Sequence, residues 1–151
     1  MRLLPLWRPK IRFRPAFVLH PSVIHGWFDP TLASRYTSEV LHSLISMPAI
    51  VPAIWSLELA EWLRDLEVRG REIRSRIESF LRRLYPLPIS VDRLTYTRAW
   101  GPILTHARTH LISVQNAAYL ELALRLDLPL ATTDAALTRS AGSAGVPIYT
   151  P

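Results

Sequence analysis

The sequence predicts an α/β fold, a three-layer sandwich in which helices cover both faces of a mostly parallel sheet of about five strands. Short apolar runs of strand length alternate along the chain with longer segments of helical periodicity. The short runs are apolar at consecutive positions, which is typical of strands buried on both faces. The 151 residues suit one domain, and 49% of them are hydrophobic, so a sizeable core can form.

The elements follow in order along the chain. The predicted strands are 16–19, 49–51, 88–91, 128–132 and 146–149. The predicted helices are 31–46, 54–68, 71–84, a helix after Asp92 that is interrupted at Gly101 and Pro102, a helix from Ser113 through Arg125, and a short one to about Gly142. Residues 1–15 are basic and contain three prolines, so we expect a poorly ordered tail before a single domain at 16–151.

The composition limits the classes of function. The formal net charge is +6, and all but one of the 18 basic residues are arginines. This balance favours nucleic acid or another acidic partner, although biased codon usage explains an arginine-rich set equally well. The absence of cysteine excludes disulfides, thiolate metal sites and a cysteine nucleophile. No stretch approaches the ~20 apolar residues of a membrane span, and the apolar run at the start is too short for a signal peptide, so we expect a cytoplasmic protein without a membrane partner.

Polar side chains cluster at one predicted end of the sheet. His20 and Ser22 follow the first strand, and Asp134 follows the strand at 128–132. Glu58 lies near the start of the helix after the second strand, and Asn116 lies in the first turn of a later helix. Ligands of open parallel sheets bind beyond the carboxyl ends of the strands, so this end is the candidate site.

Three segments in this order resemble the PIN-domain family, most closely the VapC-type toxins of bacterial toxin–antitoxin modules. Residues 17–23, Phe-Val-Leu-His-Pro-Ser-Val, resemble the first strand of the family, normally Val-Leu-Asp-x-Ser. Residues 51–60 resemble its second motif, which carries a site glutamate. Residues 113–134 contain Ala-Ala-Tyr-Leu-Glu-Leu-Ala and then Leu-Pro-Leu-Ala-Thr-Thr-Asp, similar to the family's last two motifs. The resemblance runs from about residue 16 to residue 149.

The resemblance implies a ribonuclease whose acidic residues hold Mg²⁺ or Mn²⁺. Such a metal lowers the pKa of a bound water and offsets charge on the phosphoryl oxygens. By this resemblance Glu58 and Asp134 are the metal ligands, while His20 and Asn116 stand where the family has acids. The resemblance also implies RNA, a cognate antitoxin and a second copy of the chain as partners.

These departures leave three hypotheses for function. Losing two negative charges weakens divalent-metal binding, which predicts a ribonuclease that is impaired. Alternatively, the chain is a catalytically inactive protein that binds an antitoxin, itself or RNA. Glu61, where the family commonly has Asn, is a possible supporting acid, and Asp29 and His25 after the first strand are further side chains that can approach the site. In a third possibility His20, Glu58 and Asp134 bind a transition metal, since imidazole suits Zn²⁺, Fe²⁺ or Ni²⁺.

Simpler roles remain open for the same residues. His20 can be a strand-end histidine that bonds to the backbone, and Asp134 can cap the next helix while it also serves the site. Glu58 and Glu61 can be solvated charges on a helix. Arginines recur at heptad spacing at 69, 76 and 83, and they form either a stripe for phosphates or a solvated outer face.

Overall fold

The computed structural model describes residues 14–151, so the predicted tail at 1–15 lies outside the described residues apart from its last two positions. The strands are β1 (Phe17–Leu19), β2 (Ala49–Val51), β3 (Ile89–Val91) and β4 (Leu130–Ala131). The helices are α1 (Pro21–Phe28), α2 (Arg35–Ser43), α3 (Trp55–Val68), α4 (Arg74–Leu84), α5 (Thr95–Arg98), α6 (Leu104–His110), α7 (Val114–Leu126) and α8 (Ala135–Ala144). Within residues 14–151, no helix is both long and apolar enough to cross a membrane.

The strands form one parallel sheet in the order β3-β2-β1-β4. The chain moves outward from β1 to β3 and then returns to β4 on the opposite side of β1. Because crossovers between parallel strands are right-handed as a rule, this strand order predicts that α1 to α4 lie on one face and α5 to α7 on the other. All three residues of β1 are 0% exposed although their side chains alternate between faces, so both faces of the sheet are covered. The α/β class and the parallel sheet predicted from the sequence are therefore confirmed.

The predicted fifth strand at 146–149 is reduced to a single bridge. Ile148 pairs in parallel with Leu130, and Tyr149 donates its backbone N–H to the carbonyl of Leu130. Pro147 has no N–H, so it accepts through its carbonyl only. The described part of the chain thus has a four-stranded sheet with one further extended segment beside β4.

Helix α1 was not predicted, because residues 20–22 read as the polar end of a strand. The chain turns into a helix immediately after β1, with His20 as the N-cap and Pro21 at the first helical position. Proline suits this position because the first N–H groups of a helix have no intrahelical partner. This turn places Ser22 on the first turn of α1, at the carboxyl end of β1.

The interruption predicted at Gly101 and Pro102 is a π-helical turn, Ala99–Ile103, between α5 and α6. Leu104 donates its N–H back to the carbonyl of Ala99, five residues earlier. Pro102 cannot donate, and the wider turn accommodates it inside one continuous helical segment at 95–110. Ile103 and Ala107 on its inner side pack against Ala117 and Ala118 of α7, so α7 is held between this segment and the sheet.

Candidate functional site

The candidate site lies where the direction of the sheet connections reverses. β1 and β4 are neighbours, but the chain leaves β1 toward β2 and reaches β4 from the far edge. Ligands of open α/β sheets bind at such switch points, outside the carboxyl ends of the strands. His20 follows β1 here, and Asp134 follows β4 after two intervening residues.

His20 is the N-cap of α1 and is 7% exposed. Its Nδ1 accepts the backbone N–H of Ser22 at 3.2 Å. A backbone N–H can only donate, so Nδ1 is unprotonated and the proton of the neutral ring is on Nε2. Burial lowers the pKa of His20 to about 4, against the raising effects of its bond to Asn116 and of the Asp134 charge. His20 is therefore neutral at pH 7, and its expected alternative role, a backbone-bonded histidine at the strand end, is confirmed.

Asn116 bridges His20 and Asp134. Nε2 of His20 donates to Oδ1 of Asn116 at 3.1 Å, and Nδ2 of Asn116 donates to Oδ1 of Asp134 at 3.4 Å. Ser113, the predicted N-cap of α7, fixes the position of Asn116 by accepting its backbone N–H at 3.1 Å. The amide orientation is consistent at both ends, because a flipped amide would face the ring N–H with its own N–H₂ group.

Asp134 is also the N-cap of α8, as predicted. Its Oδ1 accepts the backbone N–H of Leu137 at 2.7 Å, and its own N–H donates to Oγ1 of Thr132 at 3.0 Å. Oγ1 of Thr132 lies 3.3 Å from Oγ of Ser22, which in turn lies 2.8 Å from Nδ1 of His20. Ser22 thus has the supporting position expected for it.

These contacts close a ring of hydrogen bonds, which we call the polar ring. Its members are His20, Ser22, Asn116, Thr132 and Asp134. One assignment of protons satisfies every step. Thr132 donates to Ser22, Ser22 donates to His20, His20 donates to Asn116, and Asn116 donates to Asp134. Asp134 is the only member whose side chain carries a charge in this arrangement.

Glu58 lies beside the polar ring and is attached to it through Tyr119. The Tyr119 hydroxyl donates to Oε2 of Glu58 at 2.5 Å, and its ring meets the His20 ring edge-on with centroids 4.7 Å apart. Burial raises the pKa of Glu58, and the bond from Tyr119 offsets part of this rise. Burial and the Glu58 charge both raise the pKa of Tyr119, which therefore stays protonated as the donor. Glu58 is thus partly enclosed and not a freely solvated helix charge.

The sequence-predicted positions therefore converge, but their donor set fits a magnesium centre poorly. Both ring nitrogens of His20 and the amide oxygen of Asn116 are engaged in the polar ring. The remaining charged oxygens belong to two carboxylates, and each already has one oxygen bonded to the protein. Among residues 14–151, no group of three or more His, Asp or Glu side chains is arranged to hold a metal ion. Mg²⁺ prefers octahedral oxygen ligands, and two carboxylates alone are a minimal anchor for it.

The proposed supporting acids take other roles. The Glu61 side chain is 70% exposed and its Oε1 lies 3.5 Å from Arg64. Asp29 accepts the N–H and the hydroxyl of Thr31 in an exposed turn, and these two bonds are the main cause of its lowered pKa. Neither residue contacts the polar ring within the described residues, so they do not return the charge missing at positions 20 and 116.

His25 lies on α1, three residues after Ser22, and stacks on Trp62 of α3 with ring centroids 4.0 Å apart. Its Nε2 is buried and has no hydrogen-bond partner in the part of the chain that the structure describes. Burial, with a smaller contribution from His20, lowers the pKa of His25 to about 4. Its position supports the packing of α1 on α3 instead of a ligand role in the polar ring.

The heptad arginines are largely committed to local pairs. Arg69 bonds Asp65 at 3.0 Å, and Arg76 bonds Glu72 at 2.8 Å while also lying 5.4 Å from the Phe28 ring centre. The expected phosphate stripe along 69, 76 and 83 is therefore weak, because two of its members are already neutralised by partners.

Sequence reasoning missed a second polar cluster at the end of β3. Arg125 bonds Asp92 at 2.8 Å and Glu121 at 3.0 Å, and Arg98 also pairs with Glu121. The side chains of the two acids are 7% and 3% exposed. The spacing of Glu121 and Arg125 by four residues on one helix was the available signal. This buried cluster ties α5 and α7 to the end of β3.

No protein-family model matches this chain, and a comparison with curated proteins found no significant match.

Proposed function

We propose that this chain is a PIN-like protein of the VapC type in which a metal-dependent ribonuclease site has become a polar ring with one charged member, Asp134. It has weak or no Mg²⁺- or Mn²⁺-dependent cleavage of RNA. The proposal combines the resemblance of the three sequence segments with the convergence of His20, Glu58, Asn116 and Asp134 at one switch point of a parallel sheet.

The observation that carries the proposal is the bond from His20 Nε2 to Asn116 Oδ1. In an acidic site these two positions would both be negative and would repel each other unless a cation lay between them. Here they hold each other as donor and acceptor, so no cation is needed to stabilise the site. Asn116 also donates to Oδ1 of Asp134, so one of the two oxygens of that carboxylate is already bonded within the protein.

A second candidate function is binding without catalysis, with an antitoxin, a second copy of the chain or RNA as partner. The completeness of the polar ring favours it, because every member has hydrogen-bond partners within the protein. A self-satisfied polar site preserves the shape of the fold without providing groups for chemistry.

The test is a ribonuclease assay with Mg²⁺ and with Mn²⁺ on the wild type and the double variant His20→Asp, Asn116→Asp. The proposal expects little or no metal-dependent cleavage by the wild type and a gain in the double variant. EDTA removes the metal, so any cleavage that persists in EDTA comes from a contaminating metal-independent nuclease.

Glu58→Ala, in the wild type and in the double variant, is the control for the site assignment. Any cleavage that belongs to this site is lost with Glu58. Robust wild-type cleavage that survives Glu58→Ala would refute the assignment, and robust wild-type cleavage that Glu58→Ala abolishes would refute the impairment. No cleavage by the double variant, despite metal binding, would favour the second candidate.

A further inference from the structure

A long segment of the chain lacks acidic residues. Residues 93–120 contain no aspartate or glutamate, yet they include Arg93, Arg98, Arg108 and two histidines. This segment begins directly after β3, so it starts at the same carboxyl edge of the sheet as the polar ring. The formal charge of this segment is therefore entirely positive.

One side of the helical segment at 95–110 is open to solvent, and we call it the aromatic stripe. Its exposed positions are Tyr96, Thr97, Trp100, Gly101, Thr105, Arg108 and Thr109. Trp100 is 94% exposed and Tyr96 is 66% exposed, although both side chains are large. Trp100 lies within the π turn, and the exposed positions recur every three to five residues along 96–109, so Tyr96, Trp100 and Arg108 fall on one side of the segment.

Of the exposed cations, Arg108 belongs to the aromatic stripe and Arg93 lies two residues before the helical segment begins. Arg93 and Arg108 form no ion pair within residues 14–151, whereas Arg98 pairs with Glu121. Glu121 and Asp92 are buried and are both bonded by Arg125. The surface consequently presents positive charge and two exposed aromatic rings together.

We propose that the aromatic stripe binds single-stranded RNA, with unpaired bases stacked on Trp100 and Tyr96 and phosphates held by Arg93 and Arg108. Exposed aromatic rings accept the faces of unpaired bases, which a duplex does not offer. Unpaired arginines supply the contact to the phosphate backbone. A second copy of the chain would bring the same positive charge to the stripe, so charge complementarity favours a polyanion as the occupant.

This inference specifies the RNA partner of the proposed function, but it does not depend on cleavage. It is tested by fluorescence anisotropy with a fluorescein-labelled oligouridylate, in EDTA so that no metal-dependent cleavage occurs. Trp100→Ala should weaken binding about tenfold, the size of one lost base stack, and Trp100→Phe should retain most of the affinity. Arg108→Glu should weaken binding and reduce the steepness of its salt dependence.

Arg83→Glu is the matched control, because it makes the same charge change on the exposed side of α4. It should weaken binding much less than Arg108→Glu. Unchanged affinity in Trp100→Ala, equal binding of a duplex RNA, or equal effects of the two arginine variants would overturn the inference. Sedimentation velocity provides the remaining outcome. If Trp100→Ala dissociates a dimer and leaves RNA binding intact, the aromatic stripe is a contact between copies and the inference is wrong.

The two proposals fail separately. If wild type and double variant both lack ribonuclease activity but RNA binding in EDTA depends on Trp100, the binding inference stands without the ribonuclease. If the double variant cleaves RNA and Trp100→Ala binds RNA like the wild type, the site assignment stands and the aromatic stripe does not bind RNA.

Discussion

Nε2 of His20 donates to Oδ1 of Asn116 across 96 residues of sequence, at a distance of 3.1 Å. The bond joins the end of β1 to the first turn of α7 at the switch point of the sheet. Two neutral side chains are thus bonded to each other at two positions where the family that the sequence resembles has acids. The consequences concern protonation, stability and metal binding, and each can be measured.

The first prediction concerns the protonation of His20. Asn116→Asp should raise the pKa of His20 well above its present value of about 4, because a carboxylate beside Nε2 favours the imidazolium. An NMR titration of the ring nitrogens measures this change directly. Asn116→Ala is the control, and it should leave the pKa of His20 depressed because burial remains the main cause. An unchanged pKa in Asn116→Asp would mean that the two side chains are not in contact.

The second prediction is a loss of stability in acid. The pKa of His20 is about 4 in the folded chain against an ordinary value of 6.5, so the unfolded state binds the proton first as the pH falls. The unfolding free energy is unaffected by His20 above pH 6.5. Between pH 6.5 and about pH 4 it falls by ~1.4 kcal/mol for each pH unit, up to about 3 kcal/mol in all. Urea unfolding at a series of pH values measures it. His25, whose pKa is also lowered to about 4, adds a loss over the same range, so His20→Gln should make the profile shallower without removing the loss, and His42→Gln, at an exposed position, should not change it.

The third prediction concerns the hydroxyl of Tyr119. Tyr119→Phe leaves Oε2 of Glu58 without its donor in a largely buried place, which should cost about 1–3 kcal/mol of unfolding free energy. The pKa of Glu58 should rise further, since the bond that lowers it is gone. A carboxyl with a raised folded-state pKa loses stability as the pH rises through ordinary acid values, so the cost should be larger at pH 7 than at pH 4. In the background Glu58→Leu, Tyr119→Phe should cost much less, and an equal cost in both backgrounds would contradict the contact.

The fourth prediction concerns the cluster at the end of β3. Arg125→Met leaves Asp92 and Glu121 buried with less compensation, and removing one partner from such a cluster typically costs about 3–5 kcal/mol. Chemical denaturation measures this loss. Arg139→Met removes an exposed arginine from α8 and should change stability by only a few tenths of a kcal/mol. Similar effects of the two changes would show that the cluster does not stabilise the fold.

Periodicity and apolar runs predicted most of the fold, because they report burial directly. They gave β1 to β4 and the helices α3, α4 and α7 nearly in place, and Ser113 and Asp134 were identified as helix caps. Helix α1 was missed because its start coincides with a strand end and a proline. The strand predicted at 146–149 was too long, since apolar character does not reveal how many residues actually pair.

The candidate site was predicted in its location but not in its connections. The topology rule brings Asn116 and Asp134 to one edge, and the structure places them in contact. The rule could not show that His20 would use both ring nitrogens internally, since tautomer and burial depend on tertiary neighbours. The contact of Tyr119 with Glu58 was not predicted for the same reason. Its spacing of three residues from Asn116 on one helix was nevertheless a usable signal.

Calorimetric titration of Mg²⁺ and Mn²⁺ into the wild type and into the variant His20→Asp, Asn116→Asp tests the central claim most directly. Two neutral groups replaced by carboxylates should turn a protein with no measurable metal binding, or very weak binding, into one that binds clearly more tightly. Wild-type binding as tight as that of the double variant would contradict the account, because the polar ring would then admit a metal without the two missing charges.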